Sequence, residues 1–141
     1  GVPEDDITTI LMADHGLQLY GNAVIVNTEF AKSNPDTVKK FLSAVGSGWK
    51  DAIKSPKAAA AALVKRNPAA DAALEQRRLQ LAINANVLTD YVKANGMGGV
   101  DKGRFAAAIK QLGETYSYKT APNAELYFTD AYLPKGGISL K

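Results

Sequence analysis

The sequence predicts an α/β fold in which helices dominate and strands are few. A short unbroken apolar run at residues 23–27 is typical of a strand covered on both faces. Apolar residues recur at helical spacing from Val38 to Ile53, which indicates an amphipathic helix with one face toward a core. The chain has 141 residues and 46% hydrophobic composition, so we expect one compact domain with a real core.

Helix starts are marked by capping residues and prolines. Asn34 before Pro35 predicts the start of the amphipathic helix, and Ser55 before Pro56 predicts a second. Further starts are predicted at three places along the chain: Asn67–Pro68 before a long helix, Thr89 before a short helix ended by Gly96, and Asp101. We expect residues 120–141 to form short turns.

Two glycines, Gly46 and Gly48, interrupt the amphipathic helix. Each costs about 1 kcal/mol relative to alanine inside a helix. Close packing against another backbone, or a kink, is the expected compensation.

The apolar strand at residues 23–27 lacks obvious partners. Residues 7–12 are one strand candidate and residues 126–129 a weaker one. A buried strand needs neighbours, because its N–H and C=O groups are otherwise left unsatisfied. We therefore expect the chain to be a piece of a larger α/β protein, or to pair or exchange strands with a second copy.

Composition excludes several function classes. The chain has no cysteine and one histidine, so thiolate catalysis, Cys-based metal sites and His-rich metal sites are excluded. No apolar run approaches the ~20 residues of a membrane span. Residues 1–31 carry a charge of −5, and the basic residues beyond them are spread as pairs. This pattern favours solvated helix surfaces, so no nucleic-acid partner is expected.

Residues 14–26, DHGLQLYGNAVIV, followed by residues 34–42, NPDTVKKFL, resemble a known family. The resemblance is to periplasmic substrate-binding proteins of ABC importers of the nitrate/sulfonate/taurine type, which share their fold with thiamine-pyrimidine synthases. It continues through GWKDAI at 48–53, the helix around residues 74–86, NGMGGVD at 95–101 and AYLP at 131–134.

The resemblance implies the C-terminal half of a two-lobed type II periplasmic binding protein. Residues 1–19 would end the second lobe and approach the hinge, residues 20–27 would form a crossover strand, and residues 28–141 would be the C-terminal helical part of the first lobe. The N-terminal half and a signal peptide are expected upstream. The fragment alone is not expected to bind ligand.

Three residues are predicted to contact a ligand: Asp14, Tyr20 and Asn22. Asp14 follows a candidate strand, a common ligand position in open α/β sheets, and the alternative is a turn-forming Asp. Tyr20 and Asn22 flank Gly21 and suit a cleft wall, or else hinge packing and a turn.

Three other residues carry weaker signals. His15 is either a second ligand contact or solvent-exposed. Arg78 could hold an anion, or lie along the surface or pair with an acid. Trp49 is expected in the core.

The predicted function is solute binding, without catalytic residues, metal or cofactor. A small anion or heteroaromatic molecule would be captured between two lobes for delivery to an ABC permease in the membrane, which places the protein in the periplasm. The alternatives are a fragment of a thiamine-pyrimidine synthase-like enzyme and a free-standing helical interaction module.

Overall fold

The computed structural model describes residues 2–120 and 122–140, and at Glu4 the backbone alone. These residues form two compact units. The first comprises the described residues within 1–25 and 100–128, and the second those within 26–99 and 129–141. Ala121 and Lys141 of the predicted tail lie outside the described residues. Helices supply most of the regular structure, which confirms a helix-dominated chain.

The second unit is built from five consecutive helices. These are α1 (Thr28–Ser33), α2 (Pro35–Lys54), α3 (Pro56–Arg66), α4 (Ala72–Ala82) and α5 (Asp90–Asn95), with a π-helical turn at Ile83–Val87. Helices α1 to α4 pack in sequence, α1 on α2, α2 on α3 and α3 on α4, and α4 contacts the π-helical turn that follows it. Because the helices are short or face solvent broadly, the buried side chains of this unit are few: Ala31, Val38, Ala60, Ile83 and Ile138.

Most predicted helix starts are confirmed. Helices α2 and α3 begin at Pro35 and Pro56, where proline's missing N–H costs nothing. Thr89 caps α5, since its Oγ1 accepts from the Val92 N–H at 3.2 Å. Gly96 follows the last residue of α5 with a φ of 76°, as expected of a helix-ending glycine.

Two details of the predicted caps are wrong. The Asn34 side chain does not cap α2; its Nδ2 instead donates back to the Phe30 carbonyl at 3.3 Å. The cap of α4 is Asp71, whose Oδ1 accepts from the Leu74 N–H at 2.7 Å, and not Asn67–Pro68. Asp71 has the extended backbone that a capping residue needs, whereas Asn67 ends α3.

The two glycines of α2 have opposite surroundings. A Cβ at Gly46 would overlap Cγ2 of Ile138, so the absence of a side chain lets the C-terminal segment pack directly on the helix. Close packing is therefore found at Gly46, but against the Ile138 side chain and not against another backbone as predicted. A Cβ at Gly48 would meet nothing within 4 Å, and there the prediction of close packing is wrong.

The first unit is organised around one helix, α6 (Lys102–Tyr116), with Ala108 buried on its inner face. Asp101 caps it as predicted, because Oδ1 accepts from the Arg104 N–H at 2.7 Å. Three aromatic rings pack edge to face along it: Tyr20 on Phe105 at 6.1 Å and Phe105 on Phe128 at 6.0 Å between centroids. Short 3₁₀ turns occupy Glu4–Asp6, Met12–His15 and Ala124–Leu126.

The predicted strands do not form, which corrects the α/β part of the fold class. Within residues 2–120 and 122–140, β pairing is limited to an isolated antiparallel bridge between Met97 and Ile138. Residues 7–11 are irregular and lead into a 3₁₀ turn, and the 126–129 candidate begins at the end of another. Residues 20–27 have no regular structure and form no β pairing. A strand exists only through hydrogen bonds to a neighbour, and neither candidate neighbour is a strand.

Candidate functional site

The three residues predicted to contact ligand lie in one exposed stretch of the first unit. Asp14 is part of the 3₁₀ turn Met12–His15, and its backbone N–H donates to the Leu11 carbonyl at 3.0 Å. Gly16 ends this turn with a φ of 93°, which a residue with a side chain adopts rarely. The Asp14 carboxylate and the neighbouring His15 both face solvent.

Tyr20 is the most firmly held of the three. Its hydroxyl oxygen accepts from the Asp101 backbone N–H at 2.8 Å, at the start of α6. One face of its ring lies 4.6 Å from the Arg104 guanidinium carbon, a cation–π contact. Because the hydroxyl accepts in this bond, its own proton can be donated to a ligand. The side chain remains 37% exposed, so such a ligand could reach it.

Arg104 is the residue that sequence reasoning missed. Its Nε donates to the Gln18 carbonyl and its Nη2 to the Leu19 carbonyl, both at 2.9 Å. With the Tyr20 contacts, these bonds clasp residues 18–20 onto the first turn of α6. We call this set, Gln18, Leu19, Tyr20, Asp101 and Arg104, the α6 clasp.

Asn22 lies beyond the α6 clasp, on a stretch without regular structure. It is exposed, and no hydrogen bond joins it to Asp14 or Tyr20 in the described residues. The structure therefore places the three residues on one segment without bringing their side chains together. Their assignment as ligand contacts stays a prediction.

The residues that follow Tyr20 expose both apolar side chains and backbone. Within the described chain, the N–H and C=O groups of residues 21–25 take part in no hydrogen bond. Val24 is 52% and Ile25 93% exposed. Chains rarely leave a β-branched run unpaired and exposed, because it is then a template for another strand.

The remaining candidates lie in the second unit. Arg78 pairs with Glu75, Nη1 to Oε1 at 2.7 Å, so the alternative of pairing with an acid is confirmed for it. Trp49 is half-buried beside these residues. Within the helices of this unit, the carboxyl pKa of Asp90 is lowered by a hydrogen bond from Lys93 and by its charge.

The described residues lack two features, a membrane-spanning helix and a cluster of metal-ligating side chains. No helix there combines the length and hydropathy of a membrane span. No group of three His, Asp or Glu side chains in that part of the chain stands close enough to share a metal ion.

Comparison with known proteins gives a family match over part of the chain. Residues 3–59 match the family described as NMT1/THI5 like. The matched segment contains Asp14, Tyr20 and Asn22 and extends through α1 and α2 into α3. The resemblance to the nitrate/sulfonate/taurine binding-protein family is thereby confirmed over these residues. Neither the curated proteins nor the solved structures contain a match to the chain.

Proposed function

We propose that this chain is part of the solute-binding component of an ABC importer, acting outside the cytoplasmic membrane. The family match over residues 3–59 carries the proposal, because it covers the whole stretch from which the site was predicted. The function is capture and release of a small molecule rather than turnover. An ABC permease in the membrane would receive the ligand.

The ligand contacts in this proposal are Asp14, Tyr20 and Asn22. Tyr20 donates its free hydroxyl proton and Asn22 its amide N–H, and both suit the oxygen of an anion or the acceptor of a heteroaromatic ring. Asp14 accepts from an N–H or O–H of the same ligand. The role of the α6 clasp is to hold the Tyr20 hydroxyl in place before the ligand arrives, which reduces the entropy cost of binding.

The exposed run at residues 21–25 supports a second part of the proposal. We assign residues 20–27 to a crossover strand between two lobes, with its neighbouring strands outside these 141 residues. Residues 1–19 then end one lobe and residues 28–141 belong to the other. In the chain by itself, the same run would pair with that of a second copy and give a strand-exchanged dimer.

Ligand binding is tested on the full product of the coding sequence that contains these residues, with the 141-residue chain alongside it. Thermal unfolding is measured with nitrate, taurine, bicarbonate and a pyrimidine. A ligand of the native state raises the melting temperature of the longer protein. Tyr20→Phe removes the donated proton and should reduce that shift, whereas Tyr127→Phe, at a 68% exposed tyrosine, should leave it unchanged.

The outcomes separate the alternatives. Absence of a shift with every compound would refute the receptor assignment. Formation of a pyrimidine product by the longer protein would instead support the enzyme alternative.

Strand exchange is tested by sedimentation of the 141-residue chain. A charge in the strand should prevent pairing, so Ile25→Lys should be monomeric where the parent chain dimerises. Ile10→Lys is the matched control, because Ile10 is 64% exposed but outside the run. A monomeric parent chain, or equal dimerisation of both variants, would contradict pairing through this run.

A further inference from the structure

The sequence contains one Asn–Gly pair, Asn95–Gly96, at the end of α5. An asparagine side chain loses its amide when the next backbone nitrogen attacks its Cγ. Glycine offers that nitrogen with no side chain beside it. Every other asparagine of the sequence precedes alanine, valine, threonine or proline. Asn95 is therefore the asparagine whose covalent surroundings most favour deamidation.

The structure engages both reacting groups elsewhere. The Gly96 N–H donates to the Val92 carbonyl at 2.8 Å. The Asn95 Nδ2 donates to the Tyr91 carbonyl at 3.1 Å. The attack requires both bonds to break, because the Gly96 nitrogen must turn from Val92 toward the Asn95 Cγ. The end of α5 therefore has to open locally before Asn95 reacts.

Residues 136–138 pack against the end of α5. Met97 and Ile138 exchange two backbone hydrogen bonds, of 2.8 and 2.9 Å. A Cβ at Gly137 would lie 2.6 Å from the Asn95 carbonyl oxygen, so the two backbones touch with no space for a further carbon atom. Ile138 is only 8% exposed, and its buried side chain anchors this contact.

We propose that Asn95–Gly96 is a site of spontaneous deamidation, that the contact with residues 136–138 protects it, and that its isoaspartyl product breaks this contact irreversibly. The second unit thus contains a one-way conformational switch. The proposal is independent of the solute-binding function proposed for residues 14–22.

The reaction needs water and no other reactant. The Gly96 nitrogen bonds to the Asn95 Cγ, the Cγ–Nδ2 bond breaks, and the proton of the Gly96 N–H leaves with the amide group as ammonia. Water then opens the succinimide ring at either carbonyl. Opening at Cγ gives aspartate with the original backbone. Opening at the main-chain carbonyl gives isoaspartate, whose backbone runs through Cβ and Cγ and is one carbon longer.

The isoaspartyl product does not fit the contact. It lengthens the backbone between residues 95 and 96, where a Cβ at Gly96 would already lie 2.5 Å from the Gly136 carbonyl oxygen. It also turns the former Asn95 carbonyl into a free carboxylate beside Gly137. The two hydrogen bonds between Met97 and Ile138 should therefore be lost. The aspartyl product keeps the backbone length and should keep these bonds.

The test follows deamidation of the 141-residue chain during incubation in warm, mildly alkaline buffer. Trypsin releases residues 94–102, ANGMGGVDK, in which Asn95 is the only asparagine, so its conversion is measured by mass. The folded chain should react at least about tenfold more slowly than the chain in urea, because local opening must come first.

Two matched variants test the role of residues 136–138. Ile138→Ala removes the buried anchor and should accelerate the reaction about tenfold or more. Ile10→Ala, at a 64% exposed isoleucine, should leave the rate unchanged. Helix content is checked by circular dichroism. If Ile138→Ala has lost it, Gly46→Ala takes its place, because the new Cβ would overlap the Ile138 side chain.

Hydrogen exchange of the Met97 and Ile138 N–H groups tests the product. In the isolated isoaspartyl form both should exchange at least about tenfold faster than in the unmodified chain. Asn95→Asp has the side-chain carboxylate without the longer backbone, and it should keep most of the protection. Asn95→Gln should show no change on incubation, because its longer side chain would have to close a larger, less favoured ring.

Three results would overturn the proposal. Equal rates of Asn95 conversion in the folded and the urea-unfolded chain would show that the fold does not protect this site. Equal rates in the variant that disturbs Ile138 and in Ile10→Ala would show that residues 136–138 do not control the reaction. Unchanged exchange at Met97 and Ile138 in the isoaspartyl form would show that the product leaves the contact intact.

Discussion

Replacing Arg104 with alanine should open the α6 clasp. The side chain makes two hydrogen bonds of 2.9 Å to the Gln18 and Leu19 carbonyls and one cation–π contact with Tyr20. Hydrogen bonds to a charged group contribute about 1.5–3 kcal/mol each, and an exposed cation–π contact about 0.5–1 kcal/mol. The low ends of these ranges add to about 3.5 kcal/mol. Because Arg104 is only half-buried, water replaces part of these contacts, and we expect a loss of about 2–3 kcal/mol.

Amide hydrogen exchange at the Asp101 N–H measures this loss of free energy at the α6 clasp itself. The Asp101 N–H donates to the Tyr20 hydroxyl, so its exchange reports whether Tyr20 is held against α6. A loss of about 2 kcal/mol corresponds to exchange about 30-fold faster. Arg104→Lys keeps the charge but lacks the planar fork from which Nε and Nη2 donate to the two carbonyls, and it should give an intermediate rate. Arg77→Ala, at an exposed arginine of α4, is the control.

One result would refute the reasoning. If Asp101 exchanges at the same rate in Arg104→Ala as in Arg77→Ala, residues 18–20 are held by something other than the guanidinium. A variant that loses helix content altogether would be replaced by Tyr20→Phe. That change removes the hydroxyl that accepts from the Asp101 N–H and should accelerate its exchange without disturbing the ring contacts.

Two further predictions concern the second unit. Gly46→Ala should destabilise the chain by about 1–3 kcal/mol, because the new Cβ overlaps Ile138. Gly48→Ala should instead stabilise it by up to about 1 kcal/mol. Midpoints of urea unfolding that move in the same direction for both variants would contradict this. Lys93→Met should raise the pKa of the Asp90 carboxyl, because Lys93 now lowers it, as followed by NMR titration. A carboxyl group whose pKa is lowered by folding stabilises the folded state at pH values above its unfolded-state pKa. This stabilisation is lost as the pH falls through the folded-state pKa. Without Lys93, the free energy of unfolding should therefore depend less on pH in this acidic range.

The helices could be predicted closely because their start signals are local. Pro35, Pro56, Thr89 and Asp101 each act within one turn of chain, so the residues themselves determine where the helix begins. The start of α4 was predicted wrongly because Asn67–Pro68 and Asp71 both have residue types that begin helices. Asp71 directly precedes the helix, and its extended backbone and its bond from the Leu74 N–H make it the cap.

The strands could not be predicted in the same way. The run at residues 23–27 has the composition of a buried strand, but pairing depends on a second segment, and none of the described residues supplies it. The composition of residues 23–27 indicates a buried strand, whereas the described residues contain no partner strand for it.

The candidate site was predictable only as a segment. Tyr20 stood out by its place beside Gly21, but its contact with Arg104 joins residues more than 80 positions apart. Arg104 carried no signal of its own beyond lying three residues after the Asp101 cap. Contacts at such separation follow from tertiary packing, which periodicity and capping do not encode.

The contact between Gly46 and Ile138 bears on the order in which the second unit folds. The two residues are about 90 positions apart, so the chain must close a large loop before Ile138 reaches α2. The helices α2 to α4 form from neighbouring residues and can assemble before that closure. Docking of the C-terminal segment should therefore be a late step. During synthesis, helices α2 to α4 would be present for a time before Ile138 covers the surface of α2 at Gly46.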